Sequence, residues 1–87
     1  MEVTVMASES AIKAAIEGFV GGKYSIWTIG VTDAPARRKT EHDNPQHWHQ
    51  WDADTETAAR NVETYFLDKG MKGSGGGLGG ADYVYIF

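Results

Sequence analysis

The chain contains no cysteine, and that absence excludes disulfides, thiolate zinc sites and thiol nucleophiles together. Proline occurs only at positions 35 and 45, so breaks in a helical pattern fall at two marked places. No apolar run approaches the roughly 18 residues that a membrane span needs. The opening residues, MEVTVMASES, have neither a basic segment nor an apolar core. No signal peptide is therefore expected, and a cytoplasmic location is the default. An excess of positive charge is also missing, since eight Lys and Arg stand against twelve Asp and Glu, a net charge of −4. That argues against strong non-specific binding to nucleic acid, which needs clustered cations. A small local basic patch is still compatible with it.

What remains is 87 residues, 41% of them hydrophobic, enough for one domain over residues 1–87 with a modest core. A charged fraction of 23% is ordinary, so disorder is expected at most in one glycine-rich stretch. Residues 8–20 (SESAIKAAIEGFV) predict an amphipathic helix, with Ile12, Ala15, Ile16, Phe19 and Val20 on one face. Ser8 or Ser10 caps its start, and Gly21 and Gly22 stop it. Residues 2–6 alternate loosely, as a short strand would. Residues 24–31 (YSIWTIGV) are β-branched and aromatic on both parities, which predicts a central strand covered on both faces. Thr32 or Asp33 then caps a helix over APARRKTEH, with Pro35 in its first turn and Asn44–Pro45 beyond its end.

Residues 46–53 (QHWHQWDA) show no usable period. A third helix is expected over about residues 55–69, with Ala58, Ala59, Val62, Tyr65 and Phe66 as its apolar stripe and Gly70 at its end. Residues 70–80 hold seven glycines, as either a flexible loop or a backbone cradle, and ADYVYIF closes the chain as a strand. The order predicts an α/β or α+β sandwich: a small, mostly antiparallel sheet with about three helices.

The stretch TIGVTDAPARRKTEH, residues 28–42, carries the most chemistry. Ile29-Gly30 ends a strand, Thr32 and Asp33 form a turn, Arg38 follows Gly30 by eight residues and His42 by twelve. Further on, ARNVETYFLDKG places Glu63 on the third helix ahead of a helix-stopping glycine. Over roughly residues 24–70 this pattern resembles the GIY-YIG nuclease superfamily. The resemblance implies a metal-dependent phosphodiester hydrolase, endonuclease-like, with Mg²⁺ or Mn²⁺ held by Glu63. Arg38 would bind the scissile phosphate, and a tyrosine would help activate water. Arg37, Lys39 and His42 would add substrate contacts on nucleic acid. Those residue types suit the task, because guanidinium is a permanently charged donor fork and one carboxylate can hold a hydrated Mg²⁺.

Thr28 stands where the family has the tyrosine of its Tyr-Ile-Gly, and a helix precedes Tyr24 where the family has its first strand. The resemblance would then take its tyrosine either from Tyr24 or from the C-terminal strand. In the second case the strand is a permuted element that pairs antiparallel with residues 24–31 and supplies Tyr83 or Tyr85.

Each feature also has a plainer meaning. Arg38 between Arg37 and Lys39 suits a solvated face paired with Glu41, Asp43 or Glu63. Glu63 suits the rim of a core, and His42 a helix C-terminus. His42, His47 and His49 match no zinc spacing. The glycine run lacks both a P-loop ending and a dinucleotide fingerprint. The alternative function is a non-catalytic protein-binding or oligomerising module, with the C-terminal strand as an edge that pairs across a homodimer. A third is a ligand-binding domain with an aromatic pocket in the Trp/His loop.

Overall fold

The computed structural model of the chain describes residues 6–74 and 80–87. The elements run α1 (Glu9–Val20), β1 (Thr28–Thr32), α2 (Pro35–Glu41), β2 (His49–Asp52), α3 (Glu56–Lys69), β3 (Lys72–Gly73) and β4 (Tyr83–Ile86). The four strands form one sheet in the order β2-β4-β1-β3. β4 is antiparallel to both of its neighbours, and the short β1–β3 pair is parallel. This is the small α+β fold, with a mostly antiparallel sheet, that the sequence predicts.

The two long helices form where their caps and stripes say they should. Ser8 Oγ accepts the Ala11 N–H at 3.2 Å, and Gly21 ends α1 at φ 56°. Thr55 Oγ1 accepts the Ala58 N–H at 3.0 Å, and Gly70 ends α3 at φ 112°. α2 starts differently from the expectation. Its N-cap is Ala34, with no side-chain cap, and Pro35 follows. The Thr32 hydroxyl instead accepts the Ala34 N–H at 3.0 Å, closing a turn ahead of the helix.

The register of β4 decides which side chain goes where. Ile29 pairs with Ile86 and Val31 with Val84, and directly paired residues share a face. That face packs against α1 and α3, where Ile12, Ile16, Val20, Ala59, Val62 and Phe66 close the core. Gly30 pairs with Tyr85 on the other face. There α2 and the chain leading into β2 lie against the sheet, through Arg38 and Trp48. β1 is thus central and covered on both faces, as expected.

Three expectations are corrected. Tyr24–Ile26 is a turn of 3₁₀ helix, and the strand begins at Thr28. The Trp27 N–H bonds the Tyr24 carbonyl at 3.1 Å, so the chain is still turning there after the helix stop at Gly21 and Gly22. Residues 46–53 contain β2, and the glycine-rich segment opens with β3. β4 is an interior strand paired on both sides, so it offers no edge to a homodimer. The strand expected over residues 2–6 and the cradle expected within residues 75–79 fall outside the described residues, apart from Met6. Ala7 bridges Ala53 in parallel, accepting from Asp54 N–H and donating to Asp52.

Two glycines give opposed predictions. A Cβ on Gly30 would collide with the end of the buried Tyr85 ring and with Ser74 Oγ, whereas one on Gly18 meets nothing within 4 Å. Gly30→Ala should therefore cost roughly 1–3 kcal/mol through overpacking. Gly18→Ala, inside α1, should stabilise by roughly 0.5–1 kcal/mol. Urea denaturation of both variants checks the pair, and an unaffected Gly30→Ala would contradict the packing of Tyr85 on β1.

Candidate functional site

On the face of the sheet away from α1 and α3, the Tyr85 ring lies across Gly30 and its hydroxyl is enclosed. Arg38 Nε and Nη2 both donate to Tyr85 Oη at 3.3 Å. Tyr85 donates in turn to Ser74 Oγ at 2.7 Å. Tyr85 has no exposed surface, and the Arg38 side chain is 16% exposed. Trp48 stacks on Tyr85 with ring centroids 4.5 Å apart and planes 12° apart. Its indole N–H donates to Gln50 Oε1 at 2.8 Å, which fixes the ring over the site.

Arg38 comes to this place because the turn at Thr32 carries α2 back over the sheet. The i,i+4 spacing then puts His42 beside it. Arg38 Nη2 lies 3.2 Å from His42 Nε2. Guanidinium only donates, so Nε2 accepts and the imidazole proton sits on Nδ1. Burial, and then the neighbouring Arg38 charge, push the His42 pKa down, so the ring is neutral at pH 7. Arg38 Nη1 donates to Glu41 Oε1 at 2.8 Å. The bonds to Tyr85, and then to Glu41, hold Arg38 charged at any working pH.

This set of groups suits an oxyanion. A guanidinium is fixed at its base by a phenol, a neutral imidazole stands beside it, and one face is closed by Trp48. The Glu41 carboxylate already occupies the outward nitrogen, as a phosphate oxygen would. Glu41 is half-exposed, and ion pairs of that kind contribute about 0–1 kcal/mol, so an arriving oxyanion can take its place.

The other candidates are placed as follows. Tyr24 is held elsewhere: its hydroxyl donates to Glu17 Oε1 at 2.7 Å, and its ring lies near Phe66 on the helical side. The Glu17 carboxylate raises its pKa, and it makes no contact with Arg38 among the described residues. Glu63 lies on α3, on the opposite face of the sheet from α2. It is half-buried and makes no hydrogen bond or ion pair among the described residues. Burial raises its pKa, with Arg60 partly opposing. Arg37 is exposed along α2 with Asp33 and Glu41 at 4.0 and 3.8 Å, and Lys39 is half-buried on the same helix.

The three histidines do not converge. His42 meets Arg38 and Phe87, His49 stacks on Phe19 at 3.9 Å, and His47 lines a groove with Ile26, Trp27 and Phe87. Among the described residues no group of three or more His, Asp and Glu gathers to hold a metal. The Arg38 cluster is cationic and hydroxyl-bearing, so it does not suit a cation. Glu63, a carboxylate without a hydrogen-bond partner among the described residues, is the donor that suits one. Sequence reasoning missed Ser74 and Phe87, while Trp48 belongs to the Trp/His loop named for an aromatic pocket. Ser74 is the only hydroxyl in residues 70–80, which is the one signal that could have singled it out.

His42 makes stability depend on pH. Its folded pKa lies below the ordinary 6.5, so the unfolded chain takes up a proton first as pH falls. Stability is complete above about pH 6.5 and is lost as pH drops through the folded value. His42→Gln, which keeps an acceptor for Arg38, should flatten the decline between about pH 7 and 5 in thermal melts. An unchanged decline would mean that His42 is not the group responsible. No protein-family model, curated protein or solved structure matches the chain.

Proposed function

We propose that this domain binds a phosphodiester of nucleic acid at Arg38 and hydrolyses it, as an atypical GIY-YIG-type nuclease. The observation that carries this is the Arg38–Tyr85 contact. A strand antiparallel to β1 supplies the tyrosine absent from position 28, and it meets the arginine eight residues beyond Gly30.

In this mechanism a non-bridging phosphate oxygen displaces Glu41 from Nη1. The guanidinium then stabilises the negative charge that grows on the phosphate in the transition state. Tyr85 gives its proton to Ser74 and its oxygen to Arg38, so it positions the guanidinium and does not take a proton from water. His42 holds the other side of the guanidinium through Nε2 and offers Nδ1–H to the substrate. Tyr24, tied to Glu17, takes no part. Glu63 is the residue that the resemblance offers as a ligand for Mg²⁺ or Mn²⁺, which when bound supplies charge neutralisation and an activated water; it stands across the sheet from Arg38, and the Glu63→Gln variant decides whether the two act on one phosphate.

The test is cleavage of supercoiled, branched and single-stranded substrates with Mg²⁺, Mn²⁺ or EDTA. Arg38→Ala and Glu63→Gln should each lower metal-dependent cleavage by at least about 100-fold. Tyr85→Phe should lower it less, because it loosens Arg38 without removing it. Absence of cleavage by the wild type, with all variants folded, would replace the nuclease with the non-catalytic binding module.

Glu63 has a readout independent of activity. Its folded pKa is above 4.5, so its charge costs stability as pH rises from that value through the folded one. Without metal, Glu63→Gln should melt higher than wild type at pH 7, and the gain should shrink towards pH 4. Mn²⁺ should raise the wild-type melting temperature and leave that of Glu63→Gln unchanged. A wild type that Mn²⁺ does not stabilise would remove Glu63 as the metal ligand.

A further inference from the structure

We propose that the groove lined by Ile26, Trp27, His47 and Phe87 holds one unpaired nucleobase of the strand whose phosphate lies on Arg38. The preferred substrate is then single-stranded or locally unpaired nucleic acid. This rests on the phosphate site at Arg38 and specifies what that site acts on.

The groove has a volume of ≈ 280 Å³ and opens to solvent. That is at or below the smallest of the roughly 300–1,000 Å³ sites that take drug-sized ligands, so it suits one planar ring system. Two aromatic rings and an imidazole line it, together with Ile26, which is apolar and 68% exposed. Flat apolar walls of this kind bind a base by its π-face and tolerate any sequence.

The groove is continuous with the phosphate site. The Phe87 ring packs on His42 at 4.7 Å and parallel to Trp48 at 5.6 Å, with planes 14° apart. His42 Nε2 in turn lies 3.2 Å from Arg38. A base over Phe87 is therefore two contacts from the guanidinium. A base inside a duplex cannot reach such a groove without leaving its stack.

Charge points the same way. A chain of net charge −4 with one anchoring guanidinium gains little from phosphate neutralisation. The affinity must then come from the base. The aromatic walls bind the face of the ring and not the sugar, so the ligand is the unpaired base itself, on a DNA or an RNA backbone.

The experiment is fluorescence anisotropy in EDTA, with labelled oligothymidylate, oligouridylate, an abasic DNA strand of equal length and a blunt DNA duplex. Oligothymidylate and oligouridylate should each bind at least about tenfold more tightly than the abasic strand and the duplex. Ile26→Asn and His47→Ala alter exposed groove walls without changing the net charge, and leave the core intact. Each should weaken oligothymidylate binding roughly fivefold or more and leave the abasic strand unchanged. Arg38→Gln should weaken every ligand.

Equal affinity for the abasic and base-bearing strands, or unchanged binding in both groove variants, would overturn the base site. If Arg38→Gln still weakens binding in that case, the phosphate site survives. Failure of every strand to bind, together with absence of cleavage by the wild type, would overturn both. A duplex that binds as tightly as the single strands would overturn the base site alone.

Discussion

The pairing of β4 between β2 and β1 is the constraint on which the rest of the structure depends. Alternation along that strand sends Val84 and Ile86 into the core and Tyr85 to the opposite face. A slip of one residue would bury the phenol among the helices and strand the two aliphatic side chains on the other side, so the register is strongly specified. Core and candidate site are two faces of one short strand. Arg38 is placed by the packing of Val84 and Ile86 as much as by α2, because its anchor is the hydroxyl that this register presents. Gly30 completes the arrangement, since only a residue without Cβ lets the ring cross β1 and reach Ser74.

Much of this was legible in the sequence, but unevenly. α1 and α3 announced themselves through Ser8, Thr55, Gly21 and Gly70, because caps and stops are local chemistry. The i,i+4 relation of Arg38 and His42 was legible for the same reason. Tyr24–Ile26 read as strand because those side chains have strand propensities, yet tertiary contacts decided otherwise: the Tyr24 hydroxyl is tied to Glu17 and the backbone turns. β2 was hidden because its side chains meet partners from both faces, His49 on Phe19 and Gln50 on Trp48, and so show no period. β3 is two residues long and takes its identity from β1 alone. Ser74 could not be ranked above any other loop hydroxyl, because its meaning comes from Tyr85, eleven positions away.

Two groups among the candidate residues are held against their charged forms. His42 is kept neutral against a cation, and Glu63 is a half-buried carboxylate with no hydrogen bond among the described residues. Burial moves their pKa values in opposite directions, and both shifts oppose the charged form. A glutamine at position 63 would serve the fold better at neutral pH.

The electrostatics of the whole chain restrict what can occupy Arg38. With a net charge of −4, long-range attraction cannot draw in an extended polyanion, and the phosphate must compete with an internal carboxylate already in place. Glu41 holds Nη1, and the phosphate must take that same nitrogen, because Nε and Nη2 are bonded to Tyr85 and His42. Replacement is therefore favourable only if the phosphate arrives in a fixed orientation. That orientation has to come from something other than charge. The rings beside Arg38 supply it: Trp48 closes one side of the site, and Phe87 joins it to an apolar groove through His42. Recognition by shape and stacking, with one cation at its end, is the arrangement open to a small acidic domain that handles an anion.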